Sequence, residues 1–311
     1  MPTFTFTVFT PTRNRAHTLH RVHSSLCAQT FRHFEWIVVD DGSTDRTPEL
    51  VLGWRRDADF PIRYLWQEHH GKHAAFNRAV EHARGELFVT IDSDDGCVPT
   101  ALARLKHHWD AIPASERCAF AGVTALMMDQ HGRRVGSRFP RDVTDSDSRE
   151  IRYRYGVTGE KWGFVRTAVL REFPFPVRAD MTFVPESIVW RAIATRFRTR
   201  YVNELLGIYF TDTGPASDQL RAVPPARKAR GRALWLETTL NRDIAWFHRA
   251  PVRFVWFALN YARYSFHAGI VVSEQGRRLD NVLARALWAL MLPFGFVKYR
   301  WLDEKASRRV P

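Results

Sequence analysis

The first third of the chain alternates short apolar or β-branched segments with longer segments of helical periodicity. This rhythm constrains the fold strongly, because a strand followed by a helix that returns to the next strand is the repeating unit of a parallel α/β sheet. Each strand candidate stops at a turn or at charged residues, which is typical of strands in such a sheet. The strand candidates are residues 4–8, 35–39, 62–66 and 87–91.

The segments between these strands have apolar residues at helical spacing. Positions 19, 22 and 26 share one helical face, and Thr47 followed by Pro48 predicts the capped first turn of a second helix. Apolar residues at 76, 79, 80 and 83 predict a third helix that ends before Gly85. The sequence therefore predicts an α/β fold, with a mostly parallel sheet flanked by helices.

The rest of the chain divides by composition. Residues 120–135 resemble a strand pair around a polar turn, whereas residues 141–154 are dense in charge and predict a mobile loop. A Pro-, Arg- and Ala-rich stretch predicts a linker. We therefore predict a domain over 1–215, with halves of about 1–110 and 111–215, a linker over 216–232, and a helical, aromatic and basic region over 233–311.

The C-terminal region mixes aromatic residues with arginines. Arg249, Arg253, Arg263 and Arg285 interrupt its apolar runs before any of them reaches the ~18 to 20 residues that span a bilayer. The formal net charge of +13 is compatible with a polyanionic partner, and a well-solvated basic surface is the alternative. An anionic membrane surface suits this region, and an ordinary helical cap on the preceding domain is the alternative.

Cysteine usage and the N-terminal segment indicate the compartment. Cys27, Cys97 and Cys118 have neither metal-type nor disulfide-framework spacing. The N-terminal segment lacks the basic, apolar and small-residue pattern of a signal peptide. We expect a cytoplasmic protein, with a peripheral position on the inner face of the cell membrane if the C-terminal region binds lipid.

Carboxylates follow two of the strand candidates directly. Asp92, Asp94 and Asp95 come after the strand at 87–91, and Asp41 comes after the strand at 35–39. Because ligands of open α/β sheets bind outside the carboxyl ends of the strands, both clusters face one crevice. Asp92 and Asp94 predict a site for a hard divalent cation that neutralises substrate phosphates. An acidic turn before the next helix is the alternative.

Two further motifs bring polar groups to the same edge. The first strand ends in Thr-Pro-Thr-Arg-Asn at 10–14, where the Arg13 guanidinium suits a phosphate and a solvent-facing arginine is the alternative. Gly71 and Lys72 precede the helix that contains Asn77. A cation near a helix N-terminus adds to the attraction that the helix end has for phosphate, although a simple capped loop has the same sequence.

Taken in order, VFTPTRNR, FEWIVVDDGSTD and GKHAAFNRAVEHARGELFVTIDSDD resemble the family 2 glycosyltransferases over roughly the first 110 residues. The resemblance implies a GT-A fold with a C-terminal helical extension, a nucleotide-sugar half followed by an acceptor half, and an inverting transfer. It also implies a nucleotide-sugar donor, usually a uridine nucleotide, with Mn²⁺ or Mg²⁺ as cofactor. The acceptor would be a glycan or a lipid-linked acceptor in the synthesis of a surface polysaccharide or glycoconjugate.

The resemblance also assigns roles by position. Pro11, Thr12 and Arg13 would border the nucleotide, and Asp41 would meet the base. The other assigned residues are Lys72 and Asn77 in the donor crevice, Asp92 at the ribose or the metal, Asp94 as the metal ligand, and Asp95 as a residue that could share this role.

Inversion also needs a base that takes the proton of the acceptor hydroxyl. Phe-Val-Pro-Glu at 183–186, before a predicted helix, is similar to a motif in a bacterial subset of the family, and Glu186 is the candidate base. An ordinary first-turn glutamate is the alternative, and Asp180 is a weaker rival base. Trp162 would stack on a sugar, or else lie in the core.

Other classes of function fit the motifs less well. A basic, non-catalytic nucleotide- or nucleic-acid-binding protein is the main alternative, but strand-end carboxylates repel a polyanion and no nucleic-acid motif is present, so no nucleic acid is expected. A nucleotidyltransferase needs a Gly-rich phosphate loop after the first strand, whereas this chain has Thr-Pro-Thr-Arg-Asn there. A glycosidase also uses paired carboxylates, yet it does not account for both acidic clusters.

Overall fold

The structure, a computed structural model, describes residues 3–211 and 224–303 of the 311-residue chain. These residues fall into two compact units. The first lies within Met1–Phe175 and Val189–Gly214, and the second within Pro176–Ile188 and Pro215–Pro311.

The first unit is built on one mixed sheet. Its strands are β1 Phe4–Thr12, β2 Phe34–Asp40, β3 Ile62–Trp66, β4 Gly85–Thr90, β5 Gly96–Cys97, β6 Phe120–Asp129, β7 Arg134–Val135, β8 Val143–Ser146, β9 Lys161–Arg166 and β10 Arg198–Tyr209. Their order is β3-β2-β1-β4-β9-β6-β10-β5, with β7 beside β6 and β8 beside β10. The first four strands of this order pair in parallel, and β9 is antiparallel to both β4 and β6.

Helices connect the strands of the first unit and form most of the described part of the second. They are α1 His20–Cys27, α2 Thr47–Asp57, α3 Lys72–His82, α4 Ala101–Asp110, α5 Ser148–Tyr153, α6 Thr167–Glu172, α7 Ser187–Ile193, α8 Ala229–Asp243, α9 Pro251–His267, α10 Val272–Arg277 and α11 Val282–Val297. The predicted α/β class, with helices flanking the sheet, is confirmed.

The predicted strands and helices of the first third occur where the hydrophobic pattern places them. All seven residues of β2 are buried, and the Trp36 indole at its centre donates a 3.0 Å hydrogen bond to Thr10 Oγ1 of β1. The cap of α2 differs from the prediction, because the Asp45 carboxylate accepts from the Thr47 amide at 3.0 Å. The Thr47 hydroxyl instead accepts from the Arg15 amide at 3.1 Å and thereby joins α2 to the end of β1.

The prediction of a mobile loop over residues 141–154 is wrong, because these residues form β8 and α5. Their charged side chains are used within the fold. Asp147 caps α5 by accepting hydrogen bonds from the Arg149 and Glu150 amides at 2.8 and 3.2 Å. Arg200 of β10 binds both oxygens of Asp145 in β8, at 2.8 and 2.7 Å. The charged segment therefore forms a strand and a capped helix, whose charged side chains pair with one another and with β10.

The segment Pro176–Ile188 is the first part of the second unit. A Cβ added to Gly231 would lie 1.7 Å from the Phe183 carbonyl oxygen, so only glycine lets α8 pass this close to that segment. The helix begins at Ala229, inside the stretch predicted as a linker, and residues 212–223 lie outside the described residues. Among the described helices one, Val282–Trp301, is long and apolar enough to cross a membrane by length and composition, although Arg285 had excluded it in the sequence argument.

Candidate active site

The carboxyl ends of β1, β2 and β4 lie side by side at one edge of the sheet. The Asp41 amide donates to the Thr12 carbonyl at 2.9 Å, and the Ile91 amide donates to the Phe9 carbonyl at 2.9 Å. The parallel register pairs Thr12 with Asp40. The motifs that the sequence analysis took from separate parts of the chain are therefore neighbours in the fold, as predicted for strand ends of one sheet.

The end of β1 is joined to the loop after β2 by side-chain hydrogen bonds. Asn14 has a left-handed backbone, with a φ of 54°, and its side-chain oxygen accepts from the Thr44 amide at 2.7 Å. The Asn14 amide donates to Ser43 Oγ at 2.9 Å. Pro11 and Thr12 are buried in the strand and Arg13 is exposed. Their predicted role beside the nucleotide stays a prediction.

Asp41 organises the turn between β3 and α3. Its carboxylate, in a residue that is 5% exposed, accepts four hydrogen bonds. The donors are Gln67 Nε2 at 2.8 Å, His69 Nδ1 at 2.7 Å, and the His70 and Gly71 amides at 2.9 Å each. A carboxylate offers about four lone-pair sites, so this set uses the capacity of Asp41. The role of Asp41 at the base stays a prediction, and its role in fixing this turn is a feature that the sequence analysis missed.

Two basic side chains pair with the acidic cluster after β4. The Lys72 ammonium, in the first turn of α3, lies 2.6 Å from Asp92 Oδ1 and 2.8 Å from Asp92 Oδ2. Arg15 Nη2 lies 3.8 Å from Asp94 Oδ2. Lys72 was predicted at this crevice, whereas Arg15 was not. Its position two residues after Arg13 in the same strand-end loop was the available signal.

Asp95 shows how much negative charge this cluster concentrates. Burial, followed by the negative charges of Asp92 and Asp94, raises the pKa of the Asp95 carboxyl to about 8, although Lys72 acts in the opposite direction. Carboxyl oxygens grouped in this way suit a hard divalent cation, which would relieve their repulsion.

The same cluster does not form a complete metal cage by itself. Within residues 3–211 and 224–303, no group of three or more His, Cys, Asp or Glu side chains is arranged to hold a metal ion. Mg²⁺ is commonly bound through one or two protein carboxylates together with substrate phosphates and water. The residues present therefore fit a cation that shares its ligands with a bound diphosphate.

His73 is a second feature of α3 that the sequence analysis left without a role. The residue is 3% exposed, and neither ring nitrogen has a hydrogen-bond partner among the described residues. Burial lowers the pKa of the His73 imidazole, while the Asp41 charge acts in the opposite direction. The ring therefore lies in the helix N-terminal turn as a neutral group at neutral pH.

Asn77 and Trp162 make contacts within the fold. The Asn77 amide group donates to the Phe175 carbonyl at 2.8 Å and accepts from the Phe175 amide at 2.9 Å. Asn77 thus fixes the backbone at Phe175, and its predicted role in the donor crevice stays a prediction. Trp162 is buried in β9 and donates to the Thr90 carbonyl at 2.7 Å, so it lies in the core, which was one of its two predicted positions.

The two candidate bases belong to the second unit. Glu186 is half-buried and directly precedes α7. Asp180 forms ion pairs with Arg178, at 3.5 Å, and with Arg230 of α8. Which of the two, Glu186 or Asp180, acts as the base stays a prediction.

Comparison with known sequences gives the family of the N-terminal part. Residues 7–157 match the model of glycosyl transferase family 2. An uncharacterised glycosyltransferase of Nostoc sp. is 31% identical over 116 residues, which are 33% of this chain and 36% of the relative. The undecaprenyl-phosphate 4-deoxy-4-formamido-L-arabinose transferase of Pseudomonas aeruginosa is 35% identical over 88 residues, which are 28% and 26% of the two chains. The match thus spans about a quarter to a third of these curated relatives.

Solved structures extend the likeness to nearly the whole chain. TarS of S. aureus, in complex with UDP-GlcNAc, superimposes with a TM-score of 0.63 at 20% identity, over 96% of this chain and 83% of that one. The mannosyltransferase PcManGT of Pyrobaculum calidifontis, in complex with GDP-Man and Mn²⁺, gives 0.55 at 19% identity, over 96% and 88%. These likenesses show a GT-A fold with a C-terminal helical region. Residues 7–157, which contain the strand-end motifs, belong to glycosyl transferase family 2.

Proposed function

We propose that this protein transfers a sugar, with inversion, from a UDP-sugar to a hydroxyl of a glycan or a lipid-linked acceptor. Its product would belong to a surface polysaccharide or glycoconjugate. TarS was solved with UDP-GlcNAc, which supports a uridine nucleotide. The undecaprenyl-phosphate transferase of P. aeruginosa supports a lipid-linked acceptor.

The convergence of three strand ends at one sheet edge carries this proposal. There the Lys72 ammonium touches Asp92 at 2.6 Å, and Asp41 fixes the turn that precedes α3. Cations and helix amides suit a diphosphate, and the adjacent carboxylates suit the cation that accompanies it. A protein that only binds nucleic acid has no use for three neighbouring carboxylates at its ligand edge.

Each predicted residue has a place in the proposed reaction. Pro11, Thr12 and Arg13 border the nucleotide, and Lys72 stabilises the charge of the leaving diphosphate. Mn²⁺ or Mg²⁺, bound by Asp94 with Asp92 beside it, would supply further neutralisation of that charge. PcManGT, solved with Mn²⁺, supports the choice of metal.

We propose Glu186 as the base that takes the proton of the acceptor hydroxyl. Asn77 lines the donor crevice in this proposal, and its two hydrogen bonds to the Phe175 main chain fix its side chain. A positioned base typically contributes about 10²- to 10⁴-fold to the rate.

We place the reaction in the cytoplasm, at the inner face of the cell membrane. All three cysteine thiols are free, which fits a reducing compartment. A lipid-linked acceptor would be reached from a peripheral position on that membrane.

The first test is calorimetric titration of UDP, with and without Mn²⁺, into the full chain and into Asp94→Ala. We expect binding that Mn²⁺ strengthens in the unmodified protein and no such strengthening in Asp94→Ala. Asp59→Ala is the matched control. Asp59 precedes β3 and so lies at the amino ends of the parallel strands, and its side chain is 75% exposed. Binding of an oligonucleotide without any binding of UDP would overturn the proposal in favour of a nucleic-acid-binding protein.

The base is tested by turnover. Hydrolysis of UDP-sugars, measured across a panel, gives a rate that needs no known acceptor. We expect the rate of the Glu186→Gln variant to fall about 10²-fold or more, with UDP affinity unchanged. The Asp180→Asn variant should keep most of the rate. The opposite order of these two effects would make Asp180 the base.

A further inference from the structure

The last helix of the second unit has an apolar face that the described residues leave exposed. After α11 the chain continues through a π-helical turn, Lys298–Asp303. Leu290, Phe294 and Trp301 are 62%, 57% and 61% exposed. Their spacing of four and seven residues places them on one side of the helix, where Val282 and Val297 are exposed as well. Clusters of large exposed apolar side chains mark interaction surfaces.

The opposite side of α11 is anchored on α9. A Cβ added to Gly295 would lie 2.7 Å from Ala262 Cβ and 2.8 Å from the Leu259 carbonyl oxygen, so the two backbones approach closely. Phe266 of α9 and Phe296 also pack edge to face, with ring centroids 5.2 Å apart. A helix attached along one side has a single face for a partner, which suits a position in a surface and does not suit a span surrounded by lipid.

The charge around this face indicates which class of partner it binds. Residues 282–297 include no Asp or Glu, and Asp280 and Asp303 lie at the two ends of the segment. Arg285, Lys298 and Arg300 flank the apolar stripe, and the whole chain has a formal net charge of +13. The Arg285 guanidinium donates to the Leu279 carbonyl at 2.6 Å, which fixes it beside the N-terminal part of α11. A second copy placed on this face would bring together two chains that each have a formal net charge of +13, which repel each other. Anionic lipid headgroups attract a protein with this positive net charge, and the acyl chains accept the apolar side chains.

We propose that α11 docks this protein on an anionic lipid bilayer, with Leu290, Phe294 and Trp301 at the boundary between headgroups and acyl chains. The helix lies in the plane of the interface, and Arg285 and Lys298 contact the headgroups. This surface is distinct from the donor site in the first unit. It holds whether or not the proposed transferase reaction is correct.

The test is co-sedimentation of the full chain with vesicles of phosphatidylcholine alone or with about one third phosphatidylglycerol. We expect binding to the anionic vesicles that falls as salt is raised. The double variant Leu290→Ser, Phe294→Ser should lose at least about tenfold in affinity, because two apolar side chains no longer leave water. Arg285→Glu should weaken binding to the anionic vesicles only.

A matched double variant controls for the loss of apolar surface. Leu52 of α2 and Val143 of β8 are each 44% exposed in the first unit, and serine at both should leave vesicle binding unchanged. Titration of UDP into every variant reports separately on the donor site. Equal binding of all variants, equal binding to neutral vesicles, or no binding to anionic vesicles would overturn the proposal. A dimer of the unmodified chain that becomes a monomer in the Leu290, Phe294 variant would assign the face to a second copy.

Discussion

The Asp41 carboxylate offers the sharpest test of how the proposed donor site is built. Substituting alanine removes the acceptor of four hydrogen bonds, two of them from the main-chain amides of His70 and Gly71. Hydrogen bonds to a charged acceptor contribute about 1.5 to 3 kcal/mol each. The His69 side chain is 40% exposed and can turn to water, whereas the Gly71 amide is buried.

The two main-chain donors set the size of the effect. Their loss predicts that Asp41→Ala lowers the free energy of unfolding by about 3 kcal/mol. Asp41→Asn retains one acceptor oxygen, so we expect about half of this loss. Because Lys72 follows Gly71 directly, a loosened turn also releases the first turn of α3. Affinity for nucleotides should then fall in both variants.

Two measurements separate the organising role of Asp41 from direct contact with the base. Urea denaturation gives the free energy of unfolding, and calorimetry gives affinities for UDP, CDP and GDP. An organising role lowers the affinity for all three nucleotides by a similar factor, whereas a direct base contact lowers that for UDP selectively. If Asp41→Ala unfolds within about 0.5 kcal/mol of the unmodified protein, as Asp59→Ala is expected to, the reasoning from these hydrogen bonds is refuted.

Three further predictions concern the sheet and the charges around it. The hydrogen bond from Arg104 lowers the pKa of Glu204 to about 2, so Glu204→Gln should destabilise the protein near neutral pH. The shift corresponds to roughly 3 kcal/mol at most, which partial exposure reduces to about 1 kcal/mol. A depressed carboxyl pKa stabilises the fold above the unfolded value, so denaturation curves of the two proteins should converge as pH falls from about 4.5 towards 2. Gly163→Ala should cost about 3 kcal/mol or more in thermal denaturation, because its Cβ would lie 2.0 Å from a main-chain oxygen of β6, whereas Gly53→Ala in α2 meets nothing within 4 Å and should be neutral or stabilising. Lys72→Met should strengthen binding of Mn²⁺ alone and weaken binding of UDP in calorimetry, and the opposite pair of changes would contradict the ion-pair argument.

Hydrophobic periodicity predicted the α/β part of the fold well, since each strand and helix is specified by residues close in sequence. The buried run of β2 and the helical spacing in α3 needed no tertiary information. The strand-end rule then brought the motifs around Asp41 and Asp92 together correctly. The local sequence pattern was sufficient to predict a strand wherever that strand pairs with the next parallel strand along the chain, as β1 does with β2 and β2 with β3.

The errors came from contacts between residues far apart in sequence. The charge-rich segment 141–154 is ordered because Arg200, about 55 residues later, binds Asp145. Likewise, the four donors that surround Asp41 lie more than 25 residues away, and nothing near Asp41 in the sequence indicates them. Polar residues can be predicted to lie at a strand end, but their partners there depend on how the loops fold back.

The charges at the donor edge explain why a metal and a nucleotide should bind together. Asp92 already faces the Lys72 ammonium at 2.6 Å, and Asp94 faces the Arg15 guanidinium at 3.8 Å. A divalent cation that arrives alone has to compete with these two cations for the same oxygens. A diphosphate brings its own negative charge, which draws Lys72 and Arg15 towards the phosphates and leaves the carboxylates to the metal. In the proposed reaction, the basic residues that would hold the nucleotide are therefore the same residues that pair with the acidic cluster before the nucleotide binds.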